Sequence, residues 1–473
     1  MRASRQLETA LRVELVSARK VTLTSSQPMA TDRSTCSVGR AYLEAPVDAA
    51  SLAVFRCLFG TVMCIAAVRF IAKGWVYSQL VDPPFHFSYP HCELVRPATR
   101  TLMLGLFVLL AVAGVGLTLG LRARLCALIL AVGWAYVELI DRANYLNHYY
   151  LACLLAALLA CTPAGLQLSV DAWLCPARRC TRVPRWLLWV LRFQVAVVYI
   201  FAGVAKLNDD WLLHAQPLRI WLAAPTSALP WIAGVGTELA YAASWLGAAF
   251  DLALVPALLW KRTRCFALAG ALAFHLLTAA LLPIGMFPWI MLASVTLLLP
   301  PDWPRMLPGV PPCPSGQLGR PPTAVRVALT VHCAVQLLVP LCQHTFARDS
   351  AWTYEGFDFA WKVMLAEKSG SVRFRVRDRT SAEDWEISPS NYLSPVQEHA
   401  LGQDPRLIIA FARHLARELR EQTGRDVAVF AEAFATLNGR PLQRLIDPTI
   451  DLTQATLPDH VIVKLHDHAA RTR

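Results

Sequence analysis

Three titratable side chains in this 473-residue chain fall in or beside long apolar segments: His148 at the start of one, Lys206 at the end of a second and His275 in the middle of a third. Ionisable groups are costly inside a bilayer, so each is a functional candidate. Taken singly, each also has a structural use. Lys206 suits a lysine snorkelling to the interface, His148 a hydrogen-bonded helix cap and His275 an interhelical hydrogen bond. Their convergence at one expected depth favours a site. In such a site Lys206 is read as a base working as its free amine, and a neighbouring histidine oriented by Asn147 as a holder of developing negative charge or a proton shuttle. Asp251 and Glu238 are expected to pair with Arg56, Arg69 or Arg192 and brace the bundle. Trp211, Trp221 and Trp231 read as an interfacial belt, or alternatively as a wall against an apolar ring.

The elements that must position these groups follow from composition. The chain is 55% hydrophobic and 16% charged, with mean hydropathy +0.41, where soluble domains carry about a quarter charged residues. Its net charge of +12 sits in short clusters between apolar runs, which argues for membrane topology and against a nucleic-acid partner. Apolar stretches of spanning length are expected near 50–71, 101–121, 124–140, 149–170, 185–205, 232–260, 265–283, 286–300 and 323–342. Arg122, Arg124, Arg178, Arg179, Arg182, Arg185, Lys261, Arg262, Arg264, Arg305 and Arg320 alternate onto one side, read as cytoplasmic. The fold class is therefore a membrane all-α bundle of about nine helices with a C-terminal mixed α/β domain. Residues 1–45 form a basic cytoplasmic tail, 46–343 the membrane domain, and 344–473 a domain on the extracytoplasmic side.

In that last domain Val372 to Val376 alternates at the strand period, Arg406 to Glu421 carries apolar residues at helical spacing, and Asn438-Gly439 suits a hairpin turn after the run Val427 to Leu437. The segment from Pro300 to Pro322 reads as a linker. Most cysteines fall within apolar runs, and no zinc-type spacing occurs, so no metal is expected.

At these residues the chain resembles the vitamin K-dependent gamma-glutamyl carboxylase family. Four stretches carry the resemblance within the membrane domain: Asp141 to Tyr150, with Asn147-His148; Tyr199 to Trp211, with Ala202-Gly203-Val204-Ala205-Lys206-Leu207; Phe274-His275 to Ala293, with Ile284-Gly285-Met286-Phe287-Pro288; and Asp302-Trp303-Pro304-Arg305. It continues through Phe357 to Met364 and Asn438 to Gln454. The resemblance implies oxidation of reduced vitamin K by O₂ to its epoxide, coupled to proton removal from the γ-carbon of a peptide glutamate and capture of CO₂. It assigns Lys206 as the base that starts quinol oxidation, with His148 and His275 as its catalytic companions. It sets Asn147, Tyr199 and Met286 against the cofactor, and Trp361 and Met364 against a glutamate-containing protein or peptide. A lipid-soluble cofactor fits a site reached from the bilayer.

The chain departs from the animal members at Ala205, where they carry a second lysine, and at Leu365-Ala366-Glu367-Lys368, where they carry a histidine-bearing stretch; it also lacks their interdomain disulfide. Two other readings remain beside the carboxylase: a quinol epoxidase without carboxylation, and a quinone-binding membrane sensor or transporter. No inverted repeat of the kind common in transporters is evident. The C-terminus shows no lumenal retention signal, so a bacterial cytoplasmic membrane is favoured over the endoplasmic reticulum.

Overall fold

The computed structural model describes residues 41–179, 182–223, 236–307, 323–345, 349–455 and 460–466. The expected N-terminal tail, Trp231 and most of the 300–322 linker lie outside them. Among the described residues, nine apolar helices build the membrane part: α1 (Ala50–Ala72), α2 (Arg100–Leu119), α3 (Ala123–Ile140), α4 (Asn147–Ala160), α5 (Arg185–Ala205), α6 (Thr237–Leu259), α7 (Arg264–Leu281), α8 (Phe287–Val295) and α9 (Thr323–Leu341). Seven are long and apolar enough to cross a membrane, and α4 and α8 are shorter. The protein is a multi-pass membrane α-bundle with a C-terminal domain containing a β-sheet.

The short pair departs from two expected spans. In place of a helix over 149–170, α4 stops at Ala160, where the Thr162 hydroxyl donates to the Leu159 carbonyl at 2.8 Å and Pro163 then withholds a backbone N–H. A 14-residue helix reaches only about 21 Å. Likewise α8 passes at Thr296 into a single 3₁₀ turn ending at Leu298. Both short helices start at site residues, Asn147 and Phe287, after non-helical backbone, which membrane proteins tolerate where protein buries it or a cavity adjoins it.

Small residues set the closest helix packing. A Cβ on Gly60 of α1 would stand 2.6 Å from the Thr118 nitrogen of α2, and one on Gly114 of α2 would stand 2.7 Å from the Cys64 nitrogen. Without a hydrophobic drive between helices in lipid, such approach supplies the dispersion contact that holds them together. A short antiparallel pair, β1 (Pro46–Asp48) with β2 (Arg182–Pro184), ties the start of α1 to the start of α5.

The expected bracing of the bundle by Arg–Asp pairs is not what forms. Arg56 donates to the carbonyls of Leu117, Thr118 and Leu168. Arg192 donates to Leu297 and Leu299, both at 2.7 Å. Guanidinium groups carry five donors and no acceptor, so the loose carbonyls beyond helix ends satisfy them without a second buried charge. Glu238 stands exposed in the first turn of α6 rather than buried.

In the C-terminal domain β3 (Lys368–Asp378) pairs along its whole length with β5 (Val427–Leu437), in register from Lys368 opposite Leu437 to Asp378 opposite Val427. With β4 (Asp384–Ile387) and β6 (Gln443–Arg444) the sheet order is β4-β3-β5-β6, all antiparallel. Asn438 and Gly439 both take positive φ, +50° and +78°, and the Arg440 N–H closes on the Leu437 carbonyl at 3.0 Å. This is the expected hairpin turn, with the twist that suits two joined strands. Helices α10 (Pro395–Gln403) and α11 (Pro405–Thr423) cover one face, with Phe411 of α11 against Phe374 of β3 at 5.2 Å between ring centres.

Polar contacts lock this domain onto the bundle. Asp358 receives Arg142 at 2.8 Å and Arg406 at 3.0 Å. Asp210 receives Arg440 and the Asn438 amide, each at 2.7 Å. Gln397 of α10 donates to Asp141 at 2.6 Å and to the Phe85 carbonyl at 2.7 Å.

Candidate functional site

The fifth apolar helix ends at Lys206, whose ammonium meets Asp251 of α6 at 2.7 Å, with both side chains only 7% exposed. The same nitrogen lies 3.3 Å from the Ala202 carbonyl, 3.5 Å from the Val363 carbonyl and 5.1 Å from the centre of the Trp211 ring. Two expectations are corrected here. Asp251 pairs with Lys206 rather than with an arginine, because α5 and α6 pack side by side and bring the two together. Lys206 is accordingly half of a dry, net-neutral ion pair and not a lone amine. Trp211 is buried with its indole N–H on the Ser244 carbonyl at 2.8 Å, so it walls the lysine in rather than facing lipid. Trp221 donates to Glu367 at 2.7 Å.

His275 and Tyr199 come together: the Tyr199 hydroxyl and His275 Nε2 are 2.7 Å apart, both buried, and among the described residues His275 Nδ1 has no hydrogen-bonding partner. The ring of Phe287 lies between the two histidines, 6.3 Å from His148 and 6.5 Å from His275. Asn147 accepts a hydrogen bond from the Tyr145 hydroxyl at 3.0 Å and donates to the Lys362 carbonyl at 3.4 Å. His148 stacks near Tyr149, itself stacked on Trp134 at 4.4 Å.

A cavity of about 420 Å³ opens beside His148 and Asn147. Phe70, Leu80, Val137 and Phe287 give it apolar walls, Arg69 and Glu138 give it charged ones, and Val363, Met364 and Val396 of the C-terminal part close one side. Lys206 is not in the lining; it reaches the cavity wall through the Val363 carbonyl. Met286 turns into the helical core while its neighbours Gly285 and Phe287 line the cavity. Trp361 is 1% exposed and stacks on Tyr150 at 5.0 Å, with its indole N–H unpartnered. Of the residues singled out in the sequence, Asn147, His148 and Met364 thus line one cavity. Tyr199 with His275 and Lys206 with Asp251 lie immediately behind it.

The piece of the C-terminal domain that reaches into the bundle is unusual in its backbone. Phe359, Trp361 and Met364 have φ of +60°, +57° and +51°, a region that side chains with a Cβ rarely adopt. Surrounding contacts must hold such residues in place, and here the Tyr145 hydroxyl accepts from the Phe359 N–H at 3.1 Å while Asn147 and Lys206 take the next two carbonyls. Just beyond, two lysines are buried in the C-terminal domain. Burial pushes Lys362 down to about 8 against an opposing pull from Asp349. Burial likewise pushes Lys368 down to about 7, where the rings of Trp352 and Tyr354 each stand 4.9 Å from its nitrogen.

Comparison with known families agrees with this division of the chain. Residues 44–303 match the HTTM domain family, and residues 322–461 match the lumenal domain of vitamin K-dependent gamma-carboxylase. The chain belongs to the vitamin K-dependent gamma-carboxylase family. No solved structure matches it. The two matched regions are the two that meet at the cavity, since Val363, Met364 and Val396 come from the second and the rest of the cavity lining from the first. Sequence reasoning missed Arg69, Glu138 and Gly285 as cavity residues. In the sequence Arg69 stands out only as an intramembrane charge with a bracing role, and Gly285 only as part of the Ile284 to Pro288 stretch.

Proposed function

We propose that the protein is a vitamin K-dependent γ-carboxylase, coupling oxidation of reduced vitamin K to its epoxide with conversion of peptide glutamate to γ-carboxyglutamate. The carrying observation is the insertion of 361–364 from the C-terminal domain between Asn147 of α4 and Lys206 of α5. A domain that would present a peptide is thereby built into a membrane-embedded site whose amine and imidazoles are kept from water.

The residues fit the cofactor. The apolar rings of the cavity suit a flat hydrophobic quinol, while His148 and Asn147 offer polar contacts at its margin. When bound, reduced vitamin K supplies on oxidation the strong base that a γ-proton requires. The Lys206–Asp251 pair can take up one proton, and the single positive charge this leaves on the pair offsets the negative charge left on the deprotonated quinol. The Tyr199–His275 hydrogen bond fixes one imidazole nitrogen and leaves the other free to stabilise charge. Trp361 and Met364 position the glutamyl side chain over the cavity. With the Arg-rich loops on the cytoplasmic side, an odd number of crossings would carry the C-terminal domain to the extracytoplasmic face, where an exported substrate would meet it.

The test is purified protein supplied with reduced vitamin K, O₂, labelled bicarbonate and a glutamyl peptide. Label in the peptide together with epoxide supports the proposal; neither product overturns it. Epoxide without label supports the quinol-epoxidase reading, which Leu365-Ala366-Glu367-Lys368 favours because Glu367 is committed to Trp221 and Lys368 to the Trp352 carbonyl.

A further inference from the structure

Apart from Arg185 at the start of α5, three arginines stand on the first and fifth apolar helices, and among the described residues only one of the three has a guanidinium without a hydrogen-bonding partner. Arg56 and Arg192 spend their donors on helix-end carbonyls. Arg69 of α1 lies over the Trp75 ring at 4.9 Å and, among the described residues, its guanidinium has neither a hydrogen bond nor an ion pair. It lines the same cavity as Asn147, His148, Val363 and Met364. Gly285 brings the wall close: a Cβ there would stand 3.3 Å from Arg69 Nη1 and 3.7 Å from His148 Nε2. A guanidinium without hydrogen-bonding partners at membrane depth is costly unless a ligand completes it.

We infer that Arg69 holds the carboxylate of the substrate's glutamyl side chain in this cavity through a forked pair of hydrogen bonds. The inference rests on the carboxylase reading. Among the reactants proposed above, the quinol, O₂ and CO₂ are uncharged, and the glutamyl side chain is the anion. Arg69 is the one permanent cation in the lining; the opposite charge, Glu138, is engaged by the Leu146 N–H at 3.2 Å. The planar guanidinium matches a carboxylate edge with two parallel N–H donors. Its placement also serves the chemistry. When the Cγ–H bond breaks, the proton goes to the base and the electron pair spreads into the adjacent carboxylate before it forms the new carbon–carbon bond to CO₂. Arg69 therefore faces the oxygens where negative charge grows.

The experiment uses the full chain in lipid nanodiscs, with Arg69→Met and Arg69→Lys, and two peptides that differ only by glutamate or glutamine. Competition binding reads affinity, and initial rates read KM for peptide and for reduced vitamin K separately. The unsubstituted protein should prefer the glutamate peptide. Arg69→Met should erase that preference and raise peptide KM by roughly 30-fold or more, the loss expected when one side of a desolvated charge pair is removed, with quinol KM unchanged. Arg69→Lys, which keeps the charge but loses the fork, should recover part of the preference and controls for folding. An unchanged peptide preference in both variants overturns the inference, as does a rise confined to quinol KM, which would place the cofactor's oxygen on Arg69. If the unsubstituted protein carboxylates nothing, the carboxylase reading fails on its own, and the binding arm still reads whether Arg69 selects a carboxylate.

Discussion

Removing either half of the Lys206–Asp251 pair should destabilise the bundle and removing both should largely repair it, while every change at Lys206 abolishes epoxide formation. The two groups are 2.7 Å apart and each side chain is 7% exposed, so solvent screening is slight. Breaking such a pair from one side strands a buried charge at a cost of about 3–5 kcal/mol, whereas replacing both by apolar groups of similar size is often neutral. Lys206→Met and Asp251→Leu should each lower the thermal unfolding midpoint in detergent, and the double variant should return close to the starting value. Epoxide formation from reduced vitamin K should be lost in Lys206→Met and in the double variant alike. It should return in Lys206→Ala when a small amine is supplied to the vacated space. Stability costs that merely add across the double variant would mean that the pair does not form. Full epoxide formation in the double variant would remove Lys206 from the chemistry altogether.

Two further outcomes follow from particular positions. Lys368 has its folded value pushed down to about 7 from an ordinary 10.5, so between those values the folded state binds fewer protons than the unfolded one and stability should rise with pH. Below about pH 7 both states are protonated and the penalty is fully in place; Lys368→Met should therefore flatten the rise in unfolding midpoint between roughly pH 7 and 10 seen with the unsubstituted protein, and an unchanged slope would refute the assignment. Gly285→Ala should lower activity more than it lowers thermal stability. A side chain at φ +61° is strained, and its Cβ would crowd Arg69 Nη1 at 3.3 Å while touching His148; unaltered turnover in that variant would show that this wall does not shape the site.

Much of the molecule was legible before its coordinates. Apolar runs gave the helices because membrane spans need little beyond length and hydropathy, and Asn438-Gly439 located its turn because few other residue pairs take two positive φ values in succession. The sequence was less informative where pairing depends on which helices touch. Arg56, Asp251 and Arg192 are alike as intramembrane charges, and only the packing of α5 on α6 makes Lys206 the partner of Asp251. Helix ends were also misplaced, since α4 and α8 are cut short within otherwise apolar stretches. Of the site, Asn147, His148, His275, Tyr199 and Lys206 were identifiable, whereas Arg69 became distinctive only when its lack of a partner could be set beside the capped Arg56 and Arg192.

The inserted segment explains why the two parts of the chain must work as one. Phe359, Trp361 and Met364 hold left-handed backbone that an isolated loop would not keep, and the contacts that hold it come from the bundle: the Tyr145 hydroxyl, the Asn147 amide, the Lys206 ammonium and the Tyr150 ring. Tyr150 is in turn hydrogen-bonded to Gln336 of α9 at 2.8 Å, and Gln336 to Gln194 of α5. Strain in the segment is thus held by polar groups of the bundle that reach it in addition to the partners they have within the bundle, so the segment keeps its backbone only where the bundle is present. Those contacts fix Trp361 and Met364 in place before any ligand arrives. Pre-set geometry of this kind is what the proposed carboxylation needs, since its reactive species would have to meet the γ-carbon before it meets water.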